Sequence, residues 1–381
     1  MKKGFTIIVA PDSFKGSISS RDVCDALEKG ILKQSPDSKV IKAPLADGGE
    51  GTIDALVLNT SGRYISLEVS DPLGEPIIAH YGILGDEQTA VIEMAEASGL
   101  TLVPDNRRDP DITTTYGTGE LIKNALEQGC RRIIMGIGGS ATNDYGVGAL
   151  QALGFSFKDE RGVEIGFGCS ELARVEHIDI SRRHILLDNV EFLIASDVDN
   201  PLLGSTGATY MYAPQKGAAP KALLGLEHAL KHFNTVVEQH FERSVSAISG
   251  AGAAGGFGAG LLAFLNGRMH SGANLVMDWI GFKQLFEKNA IDLVITGEGC
   301  MDSQTIHGKL PVAVARIAKS FSVPVIAIVG TKRAGFEAVF EHGIDSVYSI
   351  SEVAESVEES MAKPKKCLVQ TARKVIRQAR L

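Results

Sequence analysis

The stretch TIIVAPDS, residues 6–13, is a short β-branched apolar run that stops on Pro, Asp and Ser. Five such residues in a row read as a buried strand, and the Pro–Asp step ends it in a loop. SerSerArgAsp at 19–22 has the form of a capping box, and Val23, Leu27 and Ile31 then give an apolar helical stripe that stops before Pro36. A second short strand is expected at 39–43, then PLADGGEG and a helical stretch around 53–58. Strand, loop and helix in alternation are the signature of a parallel sheet.

The same rhythm closes the chain. IDLVIT at 291–296 runs into GlyGluGly, and PVIAIVG at 324–330 is almost wholly apolar, as befits a strand covered on both faces. SVYSI at 346–350 follows a helix expected to end near Gly343. Two strands from the front and three from the back predict one five-stranded doubly wound sheet, with the middle of the chain inserted into it. That middle differs in texture. Residues 67–84 read as a hairpin about AspProLeuGly, 89–95 as a strand, and 113–128 as a helix with Gly129 at its C-cap. Another strand is expected at 191–198, and the Gly-rich run 250–265 as a glycine loop feeding a closely packed helix.

Length of 381 residues accommodates two domains. An apolar fraction of 44% and a charged fraction of 22% are those of a globular protein, and a net charge of −8 argues against a nucleic-acid coat. No apolar run approaches the roughly 18 residues of a membrane-spanning helix, and the N-terminal run is too short for a signal peptide. The five cysteines are scattered, without a CxxC pair, so free thiols in a reducing cytoplasm are expected rather than a zinc site or disulfides. The basic stretch 363–366 reads as a solvated face.

Open α/β sheets build sites beyond the carboxyl ends of their strands. Here those ends carry Asp12, Ser13 and Lys15; Asp47, Gly48, Gly49 and Glu50; Ser140, Asn143 and Asp144; Asp197, Asp199 and Asn200; and Gly297, Glu298, Gly299 and Asp302. Any one of these is ordinary turn chemistry, in which Gly supplies positive φ and Asp or Asn bonds its own backbone. Repeated five times, acids beside glycines point to phosphoryl transfer, which asks a protein chiefly for positioning and charge neutralisation. Gly-rich turns hold phosphate oxygens, carboxylates hold Mg²⁺, and lysines neutralise phosphate or carboxylate. Lys15, Lys216 and Lys309 are the lysines set among turn residues, and His307 lies on a loop near the last acid cluster. GIGGSATNDYGVG at 136–148 matches neither a P-loop nor a dinucleotide fingerprint, and GxSxG and HExxH are absent. It stays open between a phosphate cradle and a tight turn before a helix starting near Asp144.

Assembled, APDSFKGSISS (10–20), PLADGGEGT (44–52), GIGGSATNDYGVG (136–148), SDVDNPL (196–202), GATYMYAPQKGA (207–218), GAGAAGGFGAGLLAF (250–264) and ITGEGCMDSQTIHGKLP (295–311) resemble the bacterial glycerate kinase family, type 1. The motifs span nearly the whole chain in family order. The resemblance implies an α/β fold of two domains. A flavodoxin-like doubly wound parallel sheet is built from both chain ends (1–66 and 286–381), and an inserted α/β domain of restriction-endonuclease-like topology occupies 67–285. The active site is expected in the cleft between them.

The implied activity is ATP-dependent, Mg²⁺-assisted phosphorylation of D-glycerate in the cytoplasm by a monomer or homodimer, with 2-phosphoglycerate favoured over 3-phosphoglycerate. Neither a nucleic-acid nor a membrane partner is expected. The implied catalytic residues are Asp197, Lys15, Asp302 and Lys309, with Asp12, Ser13, Asn200, Lys216 and His307 on the substrate. Gly138, Gly139, Ser140, Asn143, Gly255 and Gly256 are placed at the nucleotide, and Asp47, Asp144 and Glu298 at the metal. One departure stands out: many members read AsnAspGlyGly where this chain has AsnAspTyrGly, with Tyr145. The alternatives are a kinase for another small hydroxy or sugar acid and a non-catalytic ligand-binding regulatory protein. The retained acids and lysines favour an enzyme.

Overall fold

The strand Thr6–Pro11 lies inside a five-stranded sheet, flanked by Leu293–Gly297 on one side and Lys39–Lys42 on the other. The order continues outward from Leu293–Gly297 through Val325–Val329 to Ser346–Ser349, and every pairing is parallel. These observations come from a computed structural model that describes residues 4–306, 309–354 and 356–378. The fold is mixed α/β, and it divides into two units, 1–60 with 271–381 and 61–270. Both divisions fall earlier in the chain than expected. The strand Arg63–Ser70 pairs along its whole length with Pro76–Ile83, which ties residues 61–66 to the middle of the chain.

In the first unit the helices Ser20–Gln34 and Pro364–Gln378 cover one face of the sheet. Ser19 caps the first of them, its side chain accepting from the Asp22 amide at 3.2 Å. Leu27, Ile31, Leu368 and Val375 are buried against Ile7, Val9, Leu293 and Ile295. Burying each such side chain contributes about 1.5–3 kcal/mol. A Cβ on Gly30 would sit 2.6 Å from the Val369 carbonyl oxygen, so only glycine lets the two helices come this close.

The second unit holds a six-stranded sheet ordered Arg268–His270, Glu191–Ala195, Arg132–Gly136, Thr89–Glu93, Pro76–Ile83, Arg63–Ser70. Its first four strands are parallel, and the last two form the expected hairpin. Asp71 fixes that turn by accepting from the amides of Leu73 and Glu75 at 2.7 and 2.8 Å. The helix expected over 113–128 runs from Tyr116 to Glu127. Its predecessors Thr113–Thr115 are buried polar residues engaged elsewhere, which keeps them out of the helix. No helix among the described residues is long and apolar enough to cross a membrane.

Candidate active site

In the first unit, polar residues gather beyond the carboxyl ends of the strands 6–11, 39–42, 293–297 and 325–329, around a cavity of about 450 Å³. Asp12, Ser13, Lys15, Asp47, Glu298, Asp302 and Lys309 all line it. The Lys15 ammonium donates to Asp47 Oδ2 at 2.7 Å, and Lys309 stands 3.7 Å from Asp302 Oδ1. Asp302 also accepts from the Gln304 amide at 2.8 Å, which fixes the carboxylate for Lys309.

Two carboxyls in this cavity titrate above the usual carboxylate range. Asp12 is buried, and burial together with the charge of Asp47 and Glu298 pushes its carboxyl up to about 8, against the opposing pull of Lys15 and the Ser13 amide. Burial likewise pushes Glu298 up to about 7, although Thr305 donates to its Oε1 at 2.7 Å and Lys309 pulls the other way. A buried carboxylate without a matching cation titrates in this fashion because desolvation disfavours its charge. The Ser13 hydroxyl oxygen, also buried, has no hydrogen-bond partner. No three His, Cys, Asp or Glu side chains gather to cage a metal ion among the described residues.

The second unit gathers the opening-loop residues differently. Asp144 is wholly enclosed. It accepts from the Thr115 amide and hydroxyl at 2.9 and 2.7 Å, and from the amides of Gly146 and Gly148 at 3.0 and 3.3 Å. Expected at a metal, it instead pins the start of the Val147–Ala152 helix, and its burial raises its pKa despite those bonds. Lys216 is buried as well, donating to Ser140 Oγ at 2.8 Å and to the Thr142 carbonyl at 2.6 Å. Burial pulls this lysine down to about 7.

Asn143 reaches Cys169 and Thr209 through its amide nitrogen, leaving its side-chain oxygen buried and unpartnered. Gly138 and Gly139 are exposed ahead of it. Gly255 and Gly256, expected at the nucleotide, are buried. What approaches Gly255 is the 142–145 loop: its carbonyl accepts from the Tyr145 amide at 3.1 Å, and a Cβ there would lie 2.1 Å from the Thr142 oxygen. Tyr145 itself is a core residue, with its ring edge-on to Phe233 and its hydroxyl donating to Asn234 at 3.1 Å. Its φ of 58° is left-handed, the region that glycine enters without strain.

Asp197 lies exposed beyond the strand 191–195, in the second unit; Lys15, Asp302 and Lys309 line the cavity of the first. Asn200 is absorbed by its own loop, donating to the Thr206 carbonyl at 2.8 Å and accepting from the Tyr212 hydroxyl. His307 lies outside the described residues. Thr331 and Arg333 line the cavity and escaped the sequence reading because they follow a strand that ends on no acid. Thr305, which donates to the cavity's Glu298, also escaped it, since it looks like plain turn chemistry in AspSerGlnThr.

A family model described as "Glycerate kinase family" matches residues 7–380. The chain belongs to the glycerate kinase family. A glycerate kinase of Halalkalibacterium halodurans is 46% identical over 370 residues, 97% of each chain. The glycerate 2-kinase of Escherichia coli K12 is 46% identical over 344 residues, 90% of each. A crystal structure named for glycerate kinase 2 of Salmonella typhimurium LT2 matches with a TM-score of 0.87 at 42% identity, covering 98% of each chain. Family membership makes the protein a kinase with a small-molecule substrate.

Proposed function

We propose that the protein transfers the terminal phosphoryl group of ATP to a hydroxyl of D-glycerate, making 2-phosphoglycerate in preference to 3-phosphoglycerate. The observation that carries this reading is the strand-end cavity, lined by Lys15, Lys309 and a buried Asp12 whose pKa is raised to about 8. Similarity to relatives named as glycerate kinases supports the substrate, and the name of the Escherichia coli relative supports the 2-position. The strand order of the first unit, numbered along the sheet as 2-1-3-4-5, supports a flavodoxin-like domain, whose ligands sit where the order reverses. We assign the inserted unit to a restriction-endonuclease-like topology by family resemblance.

Asp12, in its ionised form, accepts the proton of the attacking hydroxyl, and a pKa of about 8 lies close enough to the working pH for that form to be present. Lys15 and Lys309 hold anionic oxygens of the glycerate carboxylate and the moving phosphoryl group, and Asp302 positions Lys309. The donor set fits Mg²⁺: Asp47 and Glu298 are carboxylates beside Asp12, and the orphaned Ser13 oxygen offers a further hard ligand. Mg²⁺ takes one or two carboxylates plus substrate phosphates rather than an all-protein cage. When bound, it neutralises phosphate charge. In the second unit, the exposed Gly138–Gly139 turn with Ser140 serves the nucleotide, and Lys216 acts behind Ser140 instead of touching substrate.

A coupled ADP-release assay with D-glycerate, L-glycerate and lactate tests the substrate. Turnover with D-glycerate at least about 100-fold above lactate is expected, since a site built to bond a second hydroxyl rejects the analogue lacking it. Equal turnover of all three refutes D-glycerate as substrate. Asp12→Asn against Asp197→Asn tests the base, and a larger loss of kcat in Asp197→Asn moves that role to the second unit.

A further inference from the structure

The basic stretch 363–366 finds no use in the cavity just described, yet it is part of a second concavity. Helices Ser20–Gln34 and Pro364–Gln378 border a groove of about 560 Å³ lined by Lys29 and Lys33 from one and Lys365, Lys366 and Arg373 from the other. We propose that this groove is a second anion site, binding a ligand that carries a di- or triphosphate chain.

Charge is the first ground. The groove's two acids are already matched, Asp22 by Lys365 at 2.9 Å and Asp25 by Lys42 at 2.8 Å. Lys29, Lys33 and Arg373 have no carboxylate within ion-pair distance among the described residues. Buried Ala26 forms part of the floor and half-buried Val369 another, so the exposed cations project from a low, apolar base.

Helix electrostatics is the second. The first turn of Pro364–Gln378 contains no acid and does contain Lys365 and Lys366. Cations at that end oppose the helix dipole and cost stability, whereas an anion there is favoured by the dipole and the free amides. Asp22, 2.9 Å from Lys365, and Glu359, 3.5 Å from Lys366, offset part of that cost, and an anion in the groove offsets it further.

Length is the third. Lys29 and Lys33 are one helical turn apart, roughly 6 Å, and Lys366 to Arg373 spans about 10 Å. A single phosphate satisfies only part of such a row, and a chain of two or three phosphates matches it. The groove shares no lining residue with the carboxylate cavity, so occupancy of one leaves the other open.

Titration calorimetry with inorganic tripolyphosphate tests the site, using the full chain, Lys309→Ala to weaken anion binding in the carboxylate cavity, and Lys33→Ala/Arg373→Ala in both backgrounds. The proposal expects binding that survives Lys309→Ala, weakens with added salt, and falls at least about tenfold in Lys33→Ala/Arg373→Ala. Circular dichroism checks that each variant folds. ATP titrated into Lys309→Ala distinguishes the source: tighter binding than tripolyphosphate names a nucleotide, and equal binding names the phosphate chain alone. No binding by the unaltered chain, loss of all binding in Lys309→Ala, or unchanged binding in Lys33→Ala/Arg373→Ala overturns the proposal.

Discussion

Replacing Asp12 by Asn keeps the shape of the side chain and removes its charge, which separates the cost of this residue from its use. The carboxyl is pushed from 3.8 to about 8, first by burial and then by Asp47. A folded-state pKa above the unfolded one gives stability that is fully present below pH 3.8 and is lost as pH rises through about 8. Four pKa units correspond to at most ~6 kcal/mol at about 1.4 kcal/mol each. Local relaxation and water entry reduce this, and about 2–3 kcal/mol is expected at pH 8. Asp12→Asn is therefore predicted to raise the Tm of the first unit by roughly 5–10 °C at pH 8 and by little at pH 4. The same change is predicted to lower kcat by a factor of about 10²–10⁴, the usual worth of a general base. Calorimetric scans at both pH values and steady-state kinetics read the two effects. An unchanged Tm at pH 8 refutes the account of Asp12 as a buried, proton-holding carboxyl, and an unchanged kcat refutes its catalytic role.

Three further substitutions probe the remaining geometry. Thr305→Val removes the hydroxyl that donates to Glu298 and holds its pKa down, so the acid limb of the kcat/KM profile is expected to move to higher pH, with no shift contradicting the assignment. Gly255→Ala puts a Cβ 2.1 Å from the Thr142 oxygen at a φ of 67°, and is expected to destabilise the second unit by about 3 kcal/mol or more in a urea titration. Tyr145→Phe loses only the bond to Asn234, so a loss of about 1 kcal/mol with unaltered kcat is expected; a fall in kcat marks Tyr145 as part of the site.

The strands of the first unit were legible because apolar β-branched runs leave few alternatives, and 6–10, 39–43, 291–296, 324–330 and 346–350 all fall on its sheet. Strand ends were legible for the same reason, which is why Asp12, Asp47 and Glu298 could be named before their cavity was seen. The unit boundaries were harder to read: no composition shift marks residue 60, where only the pairing of Arg63–Ser70 decides. Burial was the other hidden quantity. Asp144, Gly255 and Gly256 carry the composition of a phosphate site, but turn chemistry and ligand chemistry use the same residue types. Only the donors around Asp144 and the loop against Gly255 tell the two apart. Lys216 is the converse case: expected on the substrate from its Pro–Gln–Lys–Gly turn, it is buried and bonded to Ser140.

Incubation with ATP, Mg²⁺ and D-glycerate, followed by phosphorus NMR of the product, tests the central claim most directly. The account predicts consumption of ATP and a phosphate resonance split by the single proton of C2, the pattern of 2-phosphoglycerate. A resonance split by two protons identifies 3-phosphoglycerate and contradicts the assigned position, and intact ATP contradicts the assigned reaction.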